Sequence, residues 1–307
     1  VSLAMAAVAA VAAEPSGGPR TVLRVGALQL EPVYGQKAES MARATALLEG
    51  LAPGALDFLV LPEMAFTGYM FPDPPAAGAL AELAGEGPTA DWARAVAHRL
   101  RCAVVLGFIR RDKEDSSLFN SQAVFQPSGE LVAVYDKHFL YAADETWAKQ
   151  GSGFATLRCD WLGGLKVGLG ICMDINPCKF EAAWDEFEFA SFHKREGSQV
   201  ILFSSAWCNR HPNDPEPSPV NGPDTINYWA ARLRPLIGSH VYFVAANRVG
   251  CEPVTLVSPS GKGDVTFVGS SCVIDLQRPS LVRCLNTVHP AVLVCALPLQ
   301  RPPTAPS

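Results

Sequence analysis

The chain has 307 residues, of which 49% are hydrophobic and 18% charged, against a usual charged share of about 25%. Such a chain buries a large core and is not disordered. Its 25 Lys and Arg against 30 Asp and Glu leave a net charge of −5, which argues against nucleic acid or an anionic membrane as partner, because both require a basic face. The longest apolar run, Leu3 to Ala13, is shorter than the roughly 18–20 residues of a helical membrane span. Nine Cys without a CxxC pair read as small buried hydrophobes in a reducing compartment, cytoplasmic with mitochondrial or nuclear residence as alternatives.

Residues 1–20 read as a flexible leader, either a transit remnant or a tag scar, since the chain starts at Val1. Arg24–Leu30 then reads as a strand. Gln36–Leu51 carries apolar residues at helical spacing. Asp57–Leu61 is a short buried strand running into Pro62 and Glu63. Thr89–Arg101 predicts a helix with Thr89 as its N-cap. Cys102–Ile109 is a strand, and Ser121–Gln126 with Leu131–Phe139 flank a hairpin turn at Pro127–Glu130. Leu165–Cys172 is a strand, Glu181–Arg195 a helix and Val200–Trp207 a strand. Asn209–Pro223 is a loop, Asp224–Leu236 a helix and Val241–Asn247 a strand. Thr266–Asp275 and Leu293–Leu297 complete the sheet, and 300–307 is a Pro-rich tail. No linker or fixed-period repeat divides residues 21–299, so the pattern predicts one α/β domain built from strand–helix units.

Three strand ends carry chemistry. Leu165–Asp174 is an apolar strand spaced by Gly168 and Gly170 that delivers Cys172 to a sharp exit, where the next backbone N–H can face a developing oxyanion. Leu59–Leu61 ends in Pro62 and Glu63, a carboxylate that is costly there unless exposed or paired. Leu131–Tyr135 runs into Lys137 between aromatics. Taken singly, each has a bland reading: a buried structural thiol, a solvated strand end and a snorkelling amine. Together they supply a carboxylate, a cation and a thiol, the set that amide chemistry uses.

In that order, within PEMAFTGY, YDKHFL and GLGICMD, these residues resemble the nitrilase or carbon–nitrogen hydrolase superfamily, whose members use a Glu-Lys-Cys triad. Glu145 stands eight positions after Lys137, where the family carries a second carboxylate. SSAW ending in Trp207, AANRVG and FVGSSCVID extend the likeness from about Arg24 to Leu297. Within the superfamily, KHFLYAADETWA and GICMDINPCKFEA are most similar to the eukaryotic protein N-terminal amidases, which release ammonia from N-terminal Asn or Gln.

The resemblance implies an α-β-β-α sandwich in one domain, a monomer or a homodimer paired through a helical face such as Glu181–Arg195. It implies peptide or protein N-termini beginning with Asn or Gln as partners, and no metal or organic cofactor. Cys172 would be the nucleophile, a thiolate favoured by the nearby cation and base. Glu63 would be the general base and acid, and Lys137 the charge stabiliser with the Met173 N–H. Glu145 would orient Lys137 and water. Tyr69, Met173, Asp174, Asn176 and Trp207 would line the substrate site. The α-ammonium would be read by Asp174 or by the acidic residues Asp214, Glu216 and Asp224 around the 209–223 loop. Other arrangements are weaker. Cys172 with His138 or His193 lacks the flanks of a Cys-His protease. Cys178, His193, Cys208 and His211 fit no zinc spacing. A small-molecule amidase or nitrilase, or a non-catalytic binding module of the same fold, remain the rival functions.

Overall fold

A computed structural model describes residues 21–211, 221–253 and 264–299. The leader, the tail, Asp214 and Glu216 lie outside the described residues. The first sheet takes strands from both ends of the chain. They are β1 (Val22–Gln29), β2 (Phe58–Val60), β3 (Glu82–Leu83), β4 (Ala103–Arg111), β5 (Leu118–Phe125) and β6 (Leu131–Asp136). The second is built from β7 (Ala155–Cys159), β8 (Leu165–Ile171), β9 (Val200–Ser204) and β10 (Tyr242–Ala246). After a two-stranded ribbon, β11 (Cys251–Glu252) with β12 (Val265–Thr266), the second sheet gains β13 (Cys272–Asp275) and β14 (Ser280–Cys284). The final strand β15 (Ala291–Pro298) returns to pair antiparallel with β1. The strand orders are β15-β1-β2-β4-β5-β6, with β3 beside β4, and β14-β13-β10-β9-β8-β7. In each sheet the central strands β1-β2-β4 and β8-β9-β10 are parallel.

Side-chain alternation explains the layers. In β2, Phe58 and Val60 face the second sheet, while Leu59, and Leu61 just beyond the strand, face outward. Ala103 and Val105 of β4 face inward in the same way, and Val104 and Leu106 outward. A strand buried on both faces reads as an unbroken apolar run. The outward face is covered by α1 (Lys37–Leu47) and α3 (Gly87–Leu100) through Ala44, Ala93, Val96 and Leu100. A five-residue helix, α2 (Pro74–Gly78), follows the loop after β2. On the far side, α4 (Glu188–Glu196) and α5 (Asn221–Arg232) cover the second sheet with Phe189 and Trp229. The result is the expected α-β-β-α sandwich in one domain. A Cβ on Gly170 would come within 2.5 Å of Phe189 Cζ, and one on Gly168 within 2.7 Å of His193. The glycines of β8 therefore set how closely α4 lies on the strand that leads to Cys172.

Several local expectations differ, and Thr266–Asp275, expected as one strand, is divided between β12 of the ribbon and β13 of the second sheet. Helix α3 starts at Gly87, and Thr89 sits inside it. The Glu82 carboxylate accepts the Thr89 N–H at 3.0 Å and the Thr89 hydroxyl at 2.7 Å, so β3 supplies the cap that Thr89 was expected to provide. The helix expected from Glu181 starts at Glu188. Lys179, Phe180 and Phe187 have φ of 54°, 57° and 47°, a left-handed backbone no α-helix contains. The helix expected to run to Leu236 ends at Arg232, followed by a 3₁₀ turn over Arg234–Leu236.

Candidate active site

The parallel strands of both sheets end on one side of the sandwich, and the polar residues collect there. Beyond β2, Leu61 N still bonds to Val105 O at 2.7 Å, and Pro62, which has no N–H to donate, only accepts, from Gly107 N at 3.2 Å. Met64 then takes φ 52°, turning the chain away and leaving Glu63 aimed into the interior. Gly107 of β4 makes room for this turn, since a Cβ there would sit 2.6 Å from Glu63 Cα and 2.6 Å from Met64 N. Lys137 directly follows β6 and is held on both sides: its N–H bonds to Asn120 O at 2.8 Å, and its carbonyl accepts Gly151 N–H at 2.9 Å. Cys172 directly follows β8 with φ 41°. Strained backbone at a buried polar position persists only where its surroundings impose it.

The side chains meet in a fully buried network. Lys137 Nζ donates to Glu63 Oε1 at 2.7 Å and to Asp144 Oδ2 at 2.6 Å. Asn120 Nδ2 donates to Glu63 Oε1 at 2.7 Å and to Asp144 Oδ1 at 2.9 Å. Ala206 N–H donates to Glu63 Oε2 at 2.8 Å. Tyr69 OH donates to Asp144 Oδ2 at 3.3 Å, and Lys137 Nζ lies 5.6 Å from the Tyr69 ring centre. Charges without solvent persist only with such partners.

The second carboxylate on Lys137 is therefore Asp144, not Glu145. Asp144 is fully buried, whereas Glu145 is exposed. The turn after Tyr141 explains the offset. Asp144 N and Glu145 N both bond to Tyr141 O, and Trp147 N and Ala148 N bond to Asp144 O, so this helical turn puts Ala143, Asp144 and Trp147 inward and Glu145 outward.

Asp174 is also buried, but it does not face an open site. Its oxygens accept Ile171 N–H at 2.8 Å, Tyr135 OH at 2.8 Å, His138 N–H at 3.1 Å and Phe139 N–H at 2.8 Å. It ties the segment after Lys137 to the strand that ends in Cys172. With its oxygens committed to the chain, it is not placed to read a substrate ammonium.

Electrostatics separate the groups. Burial alone would lower the Lys137 ammonium, but Asp144 and Glu63 outweigh it and hold its pKa above the ordinary value. Burial raises Glu63, with Asp144 adding to the rise and Lys137 and Asn120 opposing it. Burial and then Glu63 hold the Cys172 thiol well above its ordinary value, against Lys137, Ser205 and the Ala206 N–H. Burial and the Glu63 carboxylate thus act against the Cys172 thiolate, while the nearby cation favours it, as expected. Burial also pushes Asp174 up to about 6 despite its donors.

Cys172 opens into a cavity of ≈ 130 Å³ walled by Tyr69, Tyr141, Met173, Asn176 and Trp207. Asn176 accepts Tyr228 OH at 2.5 Å and donates to Met173 Sδ at 3.4 Å. Trp207 N–H donates to Asn247 Oδ1 at 2.8 Å. A second cavity of ≈ 350 Å³ contains Asp224, Asn227 and Tyr228. Both cavities are lined by Trp207 and Arg210. Asp224 is exposed, in the first turn of α5. Among the described residues, no group of three His, Cys, Asp or Glu could hold a metal ion, and no helix is long and apolar enough to cross a membrane.

Sequence reasoning missed Asp144, Asn120 and Tyr141. The signal for Asn120 was the run Asn120-Ser121-Gln122 inside β5, three polar residues buried between apolar ones. Each has a partner: Ser121 bonds Asp136 at 2.5 Å, and Gln122 bonds Ser204 of the second sheet at 2.8 Å.

Residues 24–301 match the family profile described as carbon-nitrogen hydrolase. The chain is 32% identical over 278 residues to the protein N-terminal amidase of Schizosaccharomyces pombe, covering 83% of this chain and 92% of that one. It is 31% identical over 207 residues to the protein N-terminal amidase of Saccharomyces cerevisiae, covering 61% of this chain and 45% of that longer one. A solved N-terminal amidase holding an Asn-Glu-Ala peptide superposes with a TM-score of 0.76 at 19% identity, over 92% of this chain and 99% of that one.

Proposed function

The chain belongs to the carbon–nitrogen hydrolase family, and we propose that its reaction is removal of ammonia from the side-chain amide of an N-terminal Asn or Gln in a peptide or protein, giving Asp or Glu. One observation carries the chemistry: the Lys137 ammonium bridges Glu63 at 2.7 Å and Asp144 at 2.6 Å beside the cavity that exposes Cys172. The N-terminal amidases of the two yeasts support the substrate class.

Cys172 Sγ attacks the amide carbon as Glu63 takes the thiol proton. Lys137 and the Met173 N–H stabilise the negative oxygen that forms. The tetrahedral adduct collapses as Glu63 returns the proton to the leaving nitrogen, so ammonia departs and a thioester remains. Water attacks the thioester while Glu63 takes its proton. The Cys172 thiolate leaves, recovers the proton from Glu63, and the free acid is released. Asp144 and Asn120 hold Lys137 and Glu63 in register throughout. Each step uses groups of this chain and water.

The two cavities suit a chain end. The small one takes a single side-chain amide, and the larger one beyond Trp207 and Arg210 takes the residues that follow. Asp224 lines that larger cavity, and we assign it the α-ammonium. The test is ammonia release and conversion of Asn to Asp in a peptide that carries Asn both at its N-terminus and internally. Conversion at the first position alone is expected. Conversion at both, or release from simple amides with none from peptides, moves the protein to the general amidases.

A further inference from the structure

Glu252 is fully buried and far from Cys172 in sequence, yet it holds one wall of the site. Its Oε2 accepts the N–H groups of Tyr69 at 2.9 Å and Met70 at 3.0 Å. Gly68 passes so close that a Cβ there would lie 2.9 Å from Glu252 Oε1, and its φ of 86° is one that glycine adopts freely. Arg248, also fully buried, forms an ion pair with Glu252 and stacks 4.0 Å from the Phe267 ring centre. Phe267 in turn meets the Tyr69 ring edge-on at 6.5 Å. The support is anchored on both sides. Arg248 bridges to Leu30, next to β1, and the ribbon β11–β12 is continued by Phe267 N bonding to Gly250 O at 3.0 Å. Val268 N bonds to Trp207 O at 3.0 Å, and Asn209 N to Thr266 O at 2.8 Å.

A buried ion pair is a costly way to hold a turn, and replacing one with apolar groups is often neutral or stabilising. The turn it holds carries the residue whose hydroxyl reaches Asp144 at 3.3 Å and whose ring lines the Cys172 cavity. We infer that Glu252 is a positioning residue for the reaction: by clamping the Gly68–Met70 turn it sets the Tyr69 hydroxyl on Asp144 and the Tyr69 ring against the substrate. This rests on the site being the amide-hydrolysing centre, whichever amide it prefers.

The experiment is a double-mutant cycle of Glu252→Gln and Tyr69→Phe on the full chain, read as kcat and KM for ammonia release. Each single variant is expected to lower kcat by about tenfold or more, and the double variant by no more than the worse single, because both changes break one linkage. Glu252→Gln leaves Arg248 unpaired, so Glu252→Gln with Arg248→Met removes that charge; it is expected to fold and to keep the low kcat. Wild-type kcat in Glu252→Gln, additive losses in the cycle, recovery of kcat in the Arg248→Met combination, or failure of both Glu252 variants to fold would each overturn the inference. A wild-type protein inert towards every amide would overturn the functional reading and this inference with it.

Discussion

Asp144 and Glu145 are adjacent, yet only Asp144 reaches Lys137. Asp144→Ala is expected to lower kcat by about a hundredfold or more, the scale on which loss of a preorganised polar partner acts, while Glu145→Ala stays within about twofold of wild type, as exposed substitutions do. Steady-state ammonia release on the pair decides it. Lys137→Ala should lose about 10²–10³-fold in kcat and also destabilise the fold by about 3–5 kcal/mol, because it leaves buried carboxylates without their cation; denaturant melts check the second part. Glu63, Lys137 and Cys172 were legible only as a set: each stands at the end of an apolar strand, where singly it has a bland reading, and their order within the three motifs carried the resemblance. Asp144 was not legible, because a count of positions from Lys137 cannot say which of two neighbouring carboxylates turns inward. The burial of Ala143 and Trp147 on one face of that turn settles it.

At the scale of elements, β2, β4 and β8 were legible as apolar runs, whereas the strand order and the short strands β3, β7, β11 and β14 were not, because no local pattern encodes them. The ends of the helices were less legible than these runs. The start of α3 depends on Glu82 of another element, and the delay of α4 depends on left-handed residues that periodicity does not encode. Gly107→Ala tests the contact that places Glu63. Backbone stands against backbone there, so no side chain can yield, and overpacking of this kind costs about 1–3 kcal/mol. Activity is expected to fall at least as steeply as stability, measured by kcat and thermal melting together.

Asp174 gives a pH test of the clamp between β6 and β8. Its folded value, about 6, lies above its ordinary 3.8, so its contribution to stability is fully present below pH 3.8 and is lost as the pH rises through about 6. The stability advantage of wild type over Asp174→Asn is therefore expected to shrink by up to about 3 kcal/mol across that window. Activity should move the opposite way, because the ionised form is the one that holds all its donors. A difference in stability that grows with pH in urea melts contradicts this account.

The whole molecule brings together residues that no local pattern links. Glu63, Asn120 and Lys137 come from the first sheet's side, Cys172 and Ala206 from the second, and Gln122 and Ser204 fasten the sheets next to them; Ser204 Oγ donates to Leu61 O at 2.7 Å. Resemblance to a family supplied this juxtaposition to the sequence reading; composition and periodicity supplied only one α/β domain. The two cavities that share Trp207 and Arg210 bear on the proposed substrate. Asn and Gln differ by one methylene, which is worth about 1–3 kcal/mol of discrimination, so both should react within roughly two orders of magnitude. Asp224→Asn should raise KM for free-amine peptides by a few fold, within the roughly 0.2–1 kcal/mol of an exposed charge pair, and less so in high salt.

The central claim is that this site hydrolyses the amide of a residue at a chain's free N-terminus. It is tested most directly by ammonia release from an Asn-peptide, the same peptide N-acetylated, and free asparagine. Acetylation is expected to lower kcat/KM by at least the few fold that Asp224→Asn costs, since it removes the charge this exposed carboxylate would pair with, and free asparagine is expected to be poorer than the peptide because it leaves the second cavity empty. Equal rates on the acetylated and free peptides would contradict it.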